Sequence, residues 1–149
     1  MRRILGTTLL VPALLLAAGG CGSDEGVTAV GDPAAPEVIV VSGTAAGGEV
    51  ADRVTALDDE AAIATYADRF RGPLAGNIER AAQAVDVPAG TRLVAAVVAV
   101  GCDVPPGVDV AGRGEDATFV PEQVRSPRQE CFAPVTTVAL AAVPQDGGE

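Results

Sequence analysis

The chain has 149 residues, with twenty acidic side chains against ten arginines and no lysine, histidine or tryptophan. A net charge of −10 repels phosphate backbones and anionic headgroups, so nucleic acid is excluded as a partner and no basic patch can hold the chain to a membrane. Without histidine there is no Ser-His-Asp or Cys-His nucleophile, and without lysine no Ser-Lys dyad, Schiff base or Walker A loop.

Residues 1–20 read as a signal peptide. Arg2 and Arg3 form a basic start, Ile4 to Ala18 an apolar run, and small residues lead through Gly19 and Gly20 to Cys21. The run is shorter than the ~20 residues a membrane-spanning helix needs. This arrangement resembles the signal peptide and lipobox of bacterial lipoproteins. In that family the cysteine is diacylated on sulfur and becomes the mature N-terminus. The resemblance implies that Cys21 carries the lipid and that fatty acyl chains such as palmitate hold the protein to the extracytoplasmic face of the cell membrane. The family favours Leu three residues before the cysteine, where this chain has Ala18. The lysine-free usage, rich in Ala, Gly, Val and Pro, resembles that of small actinobacterial lipoproteins.

Residues 21–36 follow as a lipidated cysteine and a tether of Gly, Ser, Asp, Glu and Pro with few large apolar side chains. A flexible coil of this length spans roughly 20 Å r.m.s.. One domain is expected over 37–144, opening with a strand from Glu37 to Thr44 in which Val38, Ile39, Val40 and Val41 are β-branched. Gly47-Gly48 breaks it. Asp58 is the candidate N-cap of a first helix, with Asp59 and Glu60 in its first turn, where the helix dipole favours acids. Ile63, Tyr66, Ala67 and Phe70 then recur as one apolar face.

Gly72-Pro73 ends that helix and starts a second, since proline suits a first helical position. Its stripe is Leu74, Ile78, Ala81, Ala82 and Val85. Thr91 to Gly101 is the most apolar stretch of the domain and suits a strand covered on both faces. Pro105-Pro106-Gly107 turns the chain. Two short strands are expected at Val108 to Ala111 and Ala117 to Val120, with a turn around Gly112-Arg113-Gly114. A last strand runs from Pro134 to Val143, and a polar tail frays beyond Pro144, leaving 145–149 disordered.

Apart from Cys21 the chain has two cysteines, Cys102 and Cys131, and an even pair in an exported domain reads as a disulfide. Cys102 follows the central strand and Cys131 precedes the last one, so antiparallel pairing of those strands would bring the cysteines together. The expected architecture is α+β: an antiparallel sheet of about four to five strands with a helical hairpin packed on one face. Only Tyr66, Phe70, Phe119 and Phe132 supply aromatic bulk to a core otherwise filled by small residues.

No metal site or cofactor is expected. The triplet Asp58-Asp59-Glu60 reads as helix capping in preference to a calcium site. Asp103, Asp109, Glu115 and Asp116 lack EF-hand spacing and read as solvated loop charge. A carboxylate pair for sugar hydrolysis would need a deep cleft, which a domain poor in aromatics does not favour. Tyr66 and Phe70 either fill the core or line a ligand pocket between helices and sheet. The expected function is a non-enzymatic, membrane-anchored lipoprotein that binds or supports another cell-envelope protein. The alternative is a carrier or sensor of a small apolar ligand. The stretch from Leu93 to Val143 also distantly resembles small β-domains of envelope proteins that stabilise proteases. That family turns on Thr-Gly-Gly-Tyr where this chain has Pro105-Pro106-Gly107-Val108. The resemblance implies a third reading, a regulator of an exported protease.

Overall fold

The computed structural model describes residues 36–146. The leader, Cys21, the tether up to 35 and the tail from 147 lie outside the described residues. Nine short elements follow one another: β1 (Val38–Thr44), β2 (Thr55–Ala56), α1 (Glu60–Ala67), α2 (Pro73–Ala84), β3 (Thr91–Gly101), β4 (Val108–Ala111), a 3-10 turn (Gly114–Asp116), β5 (Thr118–Pro121) and β6 (Val135–Pro144). The fold is α+β. A four-stranded antiparallel sheet has the order β1-β6-β3-β2, and β4 and β5 pair separately as a two-stranded ribbon. The last strand of the chain therefore sits between the first and third, so the sheet is complete only when β6 is in place.

The two faces of the sheet are covered by different layers. On one, Ile39, Val41, Leu93, Ala95, Val97, Val138 and Leu140 meet the stripe of α2 and the end of α1. On the other, Val38, Val94, Ala141 and Val143 pack beneath Val110 and Phe119 of the ribbon and Ala117 just before β5. That is why the apolar run of β3 is continuous: its alternate side chains serve two cores, and Leu93 through Val98 are all buried. A bulge after Val97 shifts the register, so that Val97 pairs with Val138 but Ala99 with Thr137.

The helical hairpin forms where the periodicity places it, with two local differences. The N-cap of α1 is Asp59, whose Oδ1 accepts the Ala62 N–H at 2.7 Å; Asp58 lies outside the helix. The helix ends at Ala67, and Phe70 reaches the core from a following turn closed by its N–H on the Ala67 carbonyl at 3.0 Å. Gly72 adopts φ +64°, a conformation open to glycine, and so reverses the chain to let Pro73 begin α2. Leu74, Ile78, Ala81 and Ala82 are buried along α2. Leu74 presses so closely on β1 that a Cβ added at Gly43 would lie 2.8 Å from its own. Glycine at 43 is what lets the helix approach.

Two further differences concern the ends. β2 has no counterpart in the sequence reading; it is two residues long and pairs with Ala95 and Val94. The chain beyond Val143 is not loose where it is described. Pro144 pairs with Thr91, and Gln145 donates its N–H to the Gly90 carbonyl and its Nε2 to the Thr91 carbonyl, both at 2.9 Å. The fraying expected from Pro144 therefore does not begin there.

Candidate functional site at the clasped end of the sheet

β3 and β6 run antiparallel with Gly101 opposite Val135, so the residues just outside the two strands meet. Cys102 and Cys131 are joined there in a disulfide, with Cα atoms 5.3 Å apart. The bond closes the long connection 122–134 between β5 and β6. Connections of this length without secondary structure are uncommon in small domains and usually functional. A second clasp lies beside the first. Asp103 accepts from the Arg128 side chain through Oδ1 and from the Arg128 N–H through Oδ2, each at 2.7 Å. Arg128 also donates to the Cys102 carbonyl at 2.5 Å. The side-chain hydrogen bond from Arg128, reinforced by the one from its backbone, holds the Asp103 carboxyl below the usual carboxylate range.

The clasped loop presents Phe132 wholly to solvent, at 108% relative exposure. The sequence reading counted this ring as core; it is the opposite. Val104 and Val100, at 43% and 40%, occupy the same end of the sheet. A single exposed apolar residue is ordinary. A fully exposed phenylalanine next to a disulfide is different, because the bond has already removed much of the entropy that docking would otherwise cost. The local sequence carried one signal for it: Phe132 follows Gln129-Glu130 and precedes Pro134 by two residues, a polar and turn-rich setting with no period to mark an inward face.

The other residues singled out in the sequence have structural roles. Tyr66 and Phe70 are buried at 3% and 5%, with ring centroids 5.5 Å apart, and they sit with Leu74 and Ile78 in the main core. They fill the space between hairpin and sheet that a ligand carrier would have to keep open. Asp58 binds Arg92 through both oxygens, at 2.5 and 3.2 Å. Asp59 is the cap described above. Among the described residues no three or more histidine, cysteine or acidic side chains cluster as metal ligands.

Burial leaves the Tyr66 hydroxyl without a hydrogen-bond partner among the described residues. Desolvation pushes its pKa up to about 12, with Arg69, whose guanidinium lies 5.0 Å from the ring centre, acting in the opposite direction. An unfolded tyrosine loses its proton near pH ~10. Between that value and about 12 the unfolded state is deprotonated and the folded state is not. Stability is thus fully present below pH ~10 and falls as pH rises toward the folded pKa, by roughly 2–3 kcal/mol at most. The chain holds one tyrosine and no lysine, so little else titrates in this window. We expect urea midpoints to drop across it in the native sequence and to stay flat in Tyr66→Phe, which also loses the unpaired hydroxyl.

No protein family, curated protein or solved structure matches the chain.

Proposed function

We propose that the protein is a lipid-anchored lipoprotein of the extracytoplasmic membrane face, without enzymatic activity, that binds another cell-envelope protein through Phe132 and its clasped loop. Four features support this reading: the lipobox-like run ending at Cys21, the disulfide, the lack of histidine and lysine, and the exposed ring. The observation that carries it is the placement of that ring. β1 begins opposite Ala141 and ends opposite Val135, the residue beside the disulfide. A tether that enters at Val38 therefore reaches the domain at one end of the sheet, and Phe132 stands at the other. The seven paired residues of β1 separate these two ends by about 20 Å at ~3.3 Å per residue. The ring therefore stands at the end of the sheet opposite the point where the chain enters the domain, free of the chain's own entry segment.

A photo-reactive amino acid in place of Phe132, used in living cells with mass spectrometry of the products, tests this. One recurrent envelope protein is expected, lost in an unanchored Cys21→Ser background. The same set of products from a probe at Glu79, on the exposed side of α2, would overturn the reading.

A further inference from the structure

At the other end of the sheet the turn before α1, the C-terminal end of α2 and the start of β3 enclose an open groove of about 720 Å³. That volume lies within the ~300–1,000 Å³ range of ligand sites. Its apolar wall includes Ile63, which is half-buried, and Val87, which is 43% exposed. Its rim carries Asp58, Asp59, Glu60 and Asp146 against one cation, Arg92.

Arg92 is spent within the groove, because its guanidinium is held by Asp58. Asp59 and Asp146 each accept a backbone N–H, from Ala62 and Glu115, which fixes their carboxylates in place but neutralises neither. Among the described residues the ion pairs are Arg92–Asp58 and Arg128–Asp103, so Asp59, Glu60 and Asp146 face the groove without an ion pair of their own. Arg92 also lies within electrostatic reach of Asp146, so the groove joins an apolar wall to a rim of four carboxylates and one guanidinium, a net negative charge.

We infer that this groove binds a short cationic, partly apolar peptide segment of another protein. The apolar side chains of such a segment cover Val87 and Ile63, and its guanidinium or ammonium groups meet Glu60 and Asp146. Charge selects among the other occupants. The chain's own tether carries Asp24, Glu25 and Asp32 and is repelled. Anionic lipid headgroups are repelled for the same reason. The site lies at the opposite end of the sheet from Phe132, so its failure would leave the clasped-loop reading intact, and the reverse.

The test uses the purified full chain and the peptide Arg-Leu-Arg-Trp-Arg-Leu. The protein has no tryptophan, so the peptide's emission reports binding alone. We expect a blue shift that saturates. We expect binding to weaken at least five-fold for Val87→Ser, for Glu60→Gln with Asp146→Asn, and when serine replaces leucine in the peptide. All three protein substitutions are at exposed positions, so the fold is retained, which circular dichroism verifies. No saturable shift would overturn the inference. So would an equal loss in a control that removes two acids elsewhere, Glu79→Gln with Glu122→Gln, since that would mark mere attraction to an acidic protein.

Discussion

Replacing Cys102 and Cys131 together by alanine is expected to lower the unfolding free energy by about 3–4 kcal/mol. The bond closes a loop with a sequence separation of 29, and the chain-entropy account assigns about this much to a loop of that size. Little else holds the loop. The neighbouring Arg128–Asp103 pair has an arginine side chain that is 65% exposed, and ion pairs of that kind contribute at most about 1 kcal/mol. For a domain of this size the melting temperature should fall by more than about 10 °C. Urea unfolding of native and double-alanine protein, and of native protein with reductant, measures it. Equal midpoints would show that the loop is held without the bond. The same variant should lose the cross-links formed from position 132, because an open loop no longer presents the ring in one place.

The second large effect is expected at Leu74. It is fully buried on α2 and faces β1 across the close approach that Gly43 permits. Leu74→Ala removes the side chain from a site whose walls are the backbone of a strand and the side of a helix, neither of which can move in to fill the space. Leucine-to-alanine changes of this type cost about 3–5 kcal/mol through lost transfer energy and the residual cavity. The exposed Val104→Ala, measured beside it in urea, should shift stability by no more than about 0.5 kcal/mol. A similar small shift for Leu74→Ala would mean that the hairpin repacks on the sheet. Gly43→Ala should also destabilise, because the added methyl meets Leu74 well inside contact distance.

The elements that could be read from the sequence are those whose pattern and tertiary role coincide. Thr91–Gly101 is apolar without alternation because both faces of β3 are covered, and the α2 stripe is periodic because only one side of that helix meets the sheet. Cys102 and Cys131 could be paired because the strands that flank them are both strongly marked. What escaped depends on partners far along the chain. β2 is two residues in a short stretch with no clear alternation, strand only because β3 lies alongside. Asp58 and Asp59 are adjacent and chemically equivalent as caps. The choice between them is made by Arg92, which takes Asp58 from a distance of 34 residues. Phe132 has no periodic neighbours, and its polar, turn-rich setting is the one sign in the sequence that the ring is exposed. The groove is likewise assembled from four separated segments, and no single stretch records it.

The direction of β1 and β6 also decides how the domain bears load. A pull between Glu37 and Phe132 draws β1 by its first residue and β6 from the side of its first residue. These lie at opposite ends of two antiparallel strands. The force then runs along the strands and across all their inter-strand hydrogen bonds together, because those bonds lie perpendicular to the chain. That is shear, in which the bonds must yield together, as opposed to peeling, in which they break one after another. Beyond Cys131 the tension divides, part passing through the disulfide to the end of β3 in the middle of the sheet. A domain strung between an anchor and a partner in this way would act as a stiff link.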